Sequence, residues 1–147
     1  MKYRTLGRTG LQVSEIGLGC EGFKEENGQM TARLIDIADQ AGINLIDLYT
    51  PDPLVRKSLG EALKGRRDRF VLQAHLCSIW KNGQYQRTRD PDEVQEGFET
   101  MLSQLQTEWV DIGMIHYVDS EQDWQQIVSG PLMAYALQLK RQGRIRW

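Results

Sequence analysis

The chain has 147 residues, 40% of them hydrophobic and 26% charged, with a formal net charge of -2. That is enough for one ordinary domain with a real core, and the near-neutral balance gives no electrostatic basis for binding nucleic acid or an anionic membrane. No apolar run approaches the roughly 20 residues that span a bilayer, and the opening Met1-Lys2-Tyr3-Arg4-Thr5-Leu6 lacks the apolar stretch of a signal peptide. Cys20 and Cys77 have no metal-type spacing, so reduced thiols in a cytoplasmic protein are expected.

The elements follow in chain order. Residues 2–13 read as a hairpin turning at Gly7-Arg8-Thr9-Gly10, and residues 14–19 as a short strand ending in glycine. Asn27-Gly28 makes a turn. Leu34, Ile35, Ile37, Ala38 and Ala41 then recur at helical spacing over residues 31–41, and Gly42 stops that helix. A strand over 43–47 leads to Asp52 and Pro53, a cap followed by a first-turn proline, and a helix reaching about Gly65. The third strand covers 69–75. Residues 78–89 form the longest irregular stretch; its Trp80, Tyr85, Lys81, Arg87 and Arg89 suit either a solvated loop or a lid over an anionic substrate.

Asp90-Pro91-Asp92-Glu93 is a strong helix start, and the helix should reach Leu105. The fourth strand is expected over 109–116. A short amphipathic turn around Trp124, Ile127 and Val128 and a helix over 131–142, closed by Gly143, come next. Trp109 and Trp124 read as packing on the helix side. Ile145-Arg146-Trp147 looks like the opening of a fifth strand.

Strict strand–helix alternation implies a parallel sheet. A complete (β/α)8 barrel typically takes about 250 residues. The expected class is therefore α/β: the amino-terminal half of a TIM-type barrel, one partial domain over 1–147 with a hairpin over 1–13 and βα units over 14–147. Half a barrel leaves strand edges and the interior residues Leu45, Val71, Ile112 and Met114 uncovered, so self-association is expected.

Three successive strands end in Asp47, His75 and His116, and reactive groups in parallel α/β folds gather at such ends. Strand alternation puts Leu45, Asp47, Val71, Gln73, His75, Ile112, Met114 and His116 on one side, with Ile46, Phe70, Leu72 and Ala74 facing the helices. One carboxylate and two imidazoles can form a catalytic cluster, a hydrogen-bonded core group or a two-histidine, one-carboxylate metal site. Cys77, near His75, is favoured as an inert thiol. Gly17-Leu18-Gly19-Cys20-Glu21-Gly22 matches a dinucleotide-binding glycine pattern with Asp47 at the next strand end. A residue stretch separates it from the first convincing helix, and Glu21, Glu25 and Glu26 would crowd a phosphate. Gly19, Gly22 and Asp47 stand as cofactor-contact candidates, the glycines leaving space above the sheet.

The chain resembles the aldo-keto reductase superfamily in Tyr3-Arg4-Thr5-Leu6-Gly7-Arg8-Thr9-Gly10-Leu11-Gln12-Val13-Ser14, in Ala41-Gly42-Ile43-Asn44-Leu45-Ile46-Asp47, in Leu59-Gly60-Glu61-Ala62-Leu63-Lys64-Gly65-Arg66-Arg67-Asp68, in Val110-Asp111-Ile112-Gly113-Met114-Ile115-His116 and in Gly143-Arg144-Ile145-Arg146. The resemblance implies an oxidoreductase moving hydride between NADPH and a small carbonyl substrate. In that family a tyrosine acts as the acid, with lysine, aspartate and histidine beside it. Asp47 matches the family aspartate and His116 the histidine. His75 stands at the lysine position, and the best count puts Asp52 at the tyrosine position, with Tyr49 nearby but out of step. The main cofactor contacts resemble features of the family's carboxyl-terminal half. Some divergent relatives carry an iron–sulfur module, for which this chain has no four-cysteine set. The alternatives are a non-catalytic half-barrel or a metal site formed by Asp47, His75 and His116.

Overall fold

The computed structural model describes residues 1–24 and 28–147. Glu25, Glu26 and Asn27, which starts the expected Asn27-Gly28 turn, lie outside the described residues. The elements are β1 (Tyr3–Thr5), β2 (Gln12–Ser14), β3 (Gly17–Gly19), α1 (Gln29–Gln40), β4 (Leu45–Leu48), α2 (Pro53–Leu63), a 3-10 turn (Arg67–Arg69) and β5 (Val71–His75). Then come β6 (Ser78–Lys81), β7 (Gln84–Arg87), α3 (Pro91–Leu105), β8 (Ile112–Met114), α4 (Glu121–Ser129) and α5 (Pro131–Arg141).

Local chemistry sets the helix starts. The Asp52 side chain accepts a hydrogen bond from the Leu54 amide at 2.9 Å, and Pro53 begins α2 without needing an amide donor. Asp90 accepts from the amides of Asp92 and Glu93, both at 3.0 Å, and Pro91 opens α3. Gly42 takes a positive φ of 74° just past α1, and its carbonyl accepts from the Tyr3 hydroxyl at 2.8 Å. That bond ties the amino-terminal hairpin to the end of the first helix.

β1 and β2 pair antiparallel, as expected. The main sheet is parallel, in the order β3-β4-β5-β8. Ile46, Leu48, Leu72 and Ala74 are buried against the helices, whereas Leu45, Asp47 and Gln73 on the other face remain partly open. One covered face and sequential strand order give the arc of half a (β/α)8 barrel. The opening of a further strand is present too: Ile145 bridges Val110 in parallel, and the Gly113 amide donates to the Trp147 carbonyl at 2.7 Å.

Three expectations need correction. The strand expected over 109–116 pairs regularly only over Ile112–Met114, so His116 lies beyond it. The expected turn near Trp124 is a full helix, α4, capped by Ser120, and Trp124 is exposed on it rather than packed inward. The stretch read as irregular is an antiparallel hairpin, β6–β7, turning at Asn82-Gly83. Both turn residues have positive φ, 55° and 75°, the geometry for which Asn-Gly is best suited.

Beneath the sheet, Trp109 lies between the guanidinium groups of Arg67 and Arg146, at 4.1 and 3.7 Å from its ring centre. Both cations also pair with buried Asp111, at 3.0 and 3.1 Å. The Leu72 amide donates to the same carboxylate at 2.9 Å, locking β5 to the approach of β8.

Candidate active site

Register brings the strand ends level. Asp47 pairs across the sheet with Gln73, and Gln73 with Ile112. Because alternate residues share a face, His75 stands above Gln73 on the same side as Asp47. The Asp47 Oδ1 atom receives the Gln73 amide at 2.9 Å and faces His75 Nε2 at 2.8 Å. His75 Nδ1 meets His116 Nδ1 at 3.0 Å, and the Ser78 hydroxyl lies 3.4 Å from that same His116 nitrogen. The result is a linear series, carboxylate to imidazole to imidazole. The His75 side chain in its middle is 6% exposed and Asp47 at its end 42% exposed, so the series runs from a buried imidazole out to a carboxylate open to solvent.

Aromatic rings wall this series. Tyr49 stands edge-on to both His75 and His116, with centroids at 5.6 and 5.3 Å. Tyr85, on β7, stacks on Tyr49 at 5.8 Å. Tyr117 lies nearly parallel to the His116 ring at 3.7 Å, and its hydroxyl is 3.2 Å from that of Tyr49. Tyr117 has φ of 61°, a left-handed conformation that bulky residues rarely take. Arg89 holds it there, donating to the Tyr117 carbonyl and to Asp123 Oδ1, while Arg87 sits over the Tyr117 ring at 4.7 Å.

Burial, then the neighbouring His75, push the His116 pKa below the ordinary imidazole value, with Asp47 opposing. A neutral His116 follows near neutral pH. Burial raises the Tyr85 phenol as well, ahead of the influence of Tyr49. Both cysteines are buried. Burial, reinforced by Asp47, pushes the Cys20 thiol up to about 12, and burial also raises Cys77. Neither is poised as a thiolate nucleophile.

The structure brings Asp47, His75, His116 and Tyr49 together and leaves out the fifth candidate. Asp52 is buried as the cap of α2, and its Oδ2 lies 3.9 Å from Lys24 Nζ. A carboxylate engaged in holding a helix start cannot take the place of a tyrosine at the strand ends. Tyr49, out of step by count, reaches the histidines because the chain leaves the sheet at Leu48. The metal reading also fails. His75 directs one nitrogen to Asp47 and the other to His116, so the donors form a series rather than converging on one point. Among the described residues no three His, Cys, Asp or Glu side chains are arranged to hold a metal ion.

Gly19 and Gly22 leave open ground, since a Cβ at either would meet nothing within 4 Å. They do not open a helix, however; α1 begins at Gln29. The backbone amides and dipole that would cradle a pyrophosphate are therefore not aimed from these glycines. The open space at these glycines is therefore no phosphate cradle.

Sequence reasoning missed Tyr117 and the way Tyr85 enters the site. Parity sends residue 117 away from His116, and only its left-handed φ turns the ring back. The Asn82-Gly83 pair was the available signal for the hairpin that delivers Tyr85.

Comparison with known proteins agrees with this geometry. The aldo/keto reductase family profile matches residues 15–147. The chain is 28% identical over 153 aligned positions to the uncharacterized oxidoreductase YqkF of Bacillus subtilis, covering 100% of this chain and 47% of that protein. It is 30% identical over 131 positions to aldo-keto reductase YhdN of Bacillus subtilis, covering 81% of this chain and 39% of that one. It superposes on the holo form of aldo-keto reductase AKR11C1 from Bacillus halodurans with a TM-score of 0.81 and 27% identity, over 100% of this chain and 49% of that structure. The chain thus spans about half the length, or less, of the relatives it matches. With the family profile matched over nearly its whole length and the same half-barrel seen in solved reductases, this chain belongs to the aldo/keto reductase family.

Proposed function

We propose that the complete protein is an oxidoreductase that moves hydride between NADPH and a small carbonyl substrate, with the proton supplied through His75 and His116 and Asp47 orienting His75. The observation that carries this is the 3.0 Å contact between the Nδ1 atoms of the two histidines, with Asp47 on the far nitrogen of His75. Bound NADPH supplies the hydride; these residues manage the proton that the carbonyl oxygen must gain.

The proton arithmetic follows from the contact. With one extra proton on the pair, His75 holds hydrogens on both nitrogens, donating Nε2–H to the Asp47 carboxylate and Nδ1–H to His116. His116 then carries its own hydrogen on Nε2, which has no hydrogen-bonding partner among the described residues. As Nε2–H is given to the substrate oxygen, the His75 Nδ1 proton passes to His116 Nδ1. Both imidazoles end neutral, and Asp47 stays ionised throughout, orienting the first ring as carboxylates do in hydrolase triads. The Tyr117 ring, stacked on His116, and the Tyr49 ring, edge-on to it, hold the orientation of the imidazole. His116 thus does the work that tyrosine does elsewhere in the family, and His75 holds the charge that lysine would hold.

The test is NADPH-dependent turnover of a carbonyl panel by the full-length protein, with proton inventory in mixed H2O and D2O. A curved inventory, reporting two protons in flight, supports the relay. A linear one, reporting a single proton in flight, rejects the relay. No turnover on any carbonyl rejects the reductase reading.

A second reading, that the 147-residue chain alone is non-catalytic, is favoured by the glycine loop, which starts no helix for phosphate to rest on. Calorimetry should show this chain binding NADPH more weakly than micromolar, the level that corresponds to about 8 kcal/mol. A micromolar complex would count against this reading.

A further inference from the structure

Arg56 lies in α2 and is 3% exposed, among the most buried charged groups in the protein. A guanidinium has five N–H donors and no way to shed its charge cheaply. Its one hydrogen bond among the described residues runs from Nη2 to the Ser78 carbonyl at 3.5 Å. The Nε atom is buried with no partner. Asp52, one turn earlier, caps the helix, and its charge offsets only part of the effect of burial on Arg56. Leaving a buried cation with so few partners is costly.

The same side chain lines a cavity of about 200 Å³ between α2, the β6–β7 hairpin and α3. Pro51, Ile79 and Trp80 supply apolar wall. On the α3 side is Gln104, whose Oε1 is also buried without a partner. Lys81 and Glu93, on the rim, neutralise each other. Glu96, on the same rim, disfavours a multiply charged anion.

We propose that this cavity binds a small carboxylate, seated on the planar fork of Arg56, whose other end presents a hydrogen-bond donor to Gln104. An amino or hydroxy acid of a few heavy atoms has that chemistry. A carboxylate matches a guanidinium edge in two parallel hydrogen bonds. The cavity lies below the volume of drug-sized sites, which restricts the occupant to a small metabolite. The cavity is on the helix side of the sheet, with Ser78 between Arg56 and His116, and its test needs no turnover.

The 147-residue chain is titrated with L-alanine, acetate and inorganic phosphate at constant ionic strength, following the Arg56 Nε–Hε signal by NMR. The signal is assigned by its loss in Arg56→Met. Alanine is expected to shift it saturably, acetate more weakly and phosphate not at all. Arg56→Met should also lose the saturable thermal stabilisation by alanine. Gln104→Ala, at a half-buried position on α3, should weaken alanine at least tenfold while leaving acetate unchanged. No saturable shift with alanine overturns the proposal, as does stabilisation that survives Arg56→Met. An equal response to phosphate overturns the carboxylate assignment, and an unchanged alanine affinity in Gln104→Ala overturns the donor end.

Discussion

His75 and His116 face each other Nδ1 to Nδ1 at 3.0 Å, so one ring must donate and the other accept. The two cannot both hold a hydrogen there. A proton moving along the pair therefore changes the tautomer of both rings at once, and any ionisable partner that fixes one ring fixes the other.

Replacing His116 should therefore remove more than a contact. In the full-length protein His116→Asn is expected to lower kcat/KM at least tenfold, about 1.4 kcal/mol in barrier. Cys77→Ala, at a buried thiol raised by desolvation, should leave turnover nearly intact. Steady-state kinetics on any accepted carbonyl decides it; the reverse ranking would mean thiol chemistry.

Stability should fall with acid through the same residue. The folded-state pKa of His116 lies below the ordinary value of 6.5. As pH drops past that value the unfolded chain takes up the proton first, so the folded state loses ground progressively until the folded pKa is reached. Urea midpoints measured from pH 7.5 downward should decline in wild type and decline less in His116→Asn. Identical slopes would show that His116 titrates alike in both states.

Asp111 is the anchor of the barrel floor. It is 2% exposed and pairs with Arg67 and Arg146 while accepting from the Leu72 amide. Asp111→Ala leaves the guanidinium of Arg67 without its carboxylate and should cost about 3–5 kcal/mol, as for other broken buried pairs. Equilibrium urea unfolding measures it, and a loss comparable to an exposed ion pair would show that Arg67 and Arg146 find other acceptors.

Gly60 sets two effects against each other. Alanine is better than glycine in a helix interior by about 1 kcal/mol. A Cβ at Gly60, however, would lie 2.7 Å from the Gln104 carbonyl oxygen and 2.8 Å from the Leu105 backbone. Backbone cannot swing aside as a side chain can, so Gly60→Ala should be net destabilising by about 1–3 kcal/mol. A gain in thermal stability would mean that α2 and α3 separate easily.

The 147-residue chain by itself is expected to self-associate. Leu45, Ile112 and Met114 are only partly covered on the open face of the sheet, and apolar faces of that kind mark association surfaces. Light scattering over a dilution series should report a mass above the monomer. A cooperatively folded monomer at all concentrations would show that this face is tolerated in water.

Much of this was legible before any coordinates, because the signals are local. Asp52-Pro53 and Asp90-Pro91 cap helices through bonds spanning two or three residues. The period of two along a strand placed Asp47, Gln73 and His75 on one face, and among the described residues no helix is long and apolar enough to cross a membrane. Tertiary structure decided which of these groups meet. Asp52 and Tyr49 are three positions apart, and only the path of the chain off β4 sends one to a helix cap and the other to the histidines. Tyr117 joins them through a strained φ held by Arg89, from a segment 28 residues earlier. The two imidazoles come within hydrogen-bond distance through the register between β5 and β8. A hydrogen bond between side chains 41 positions apart depends on strand pairing and on the turns that aim each ring, and neither is written in the local residue pattern.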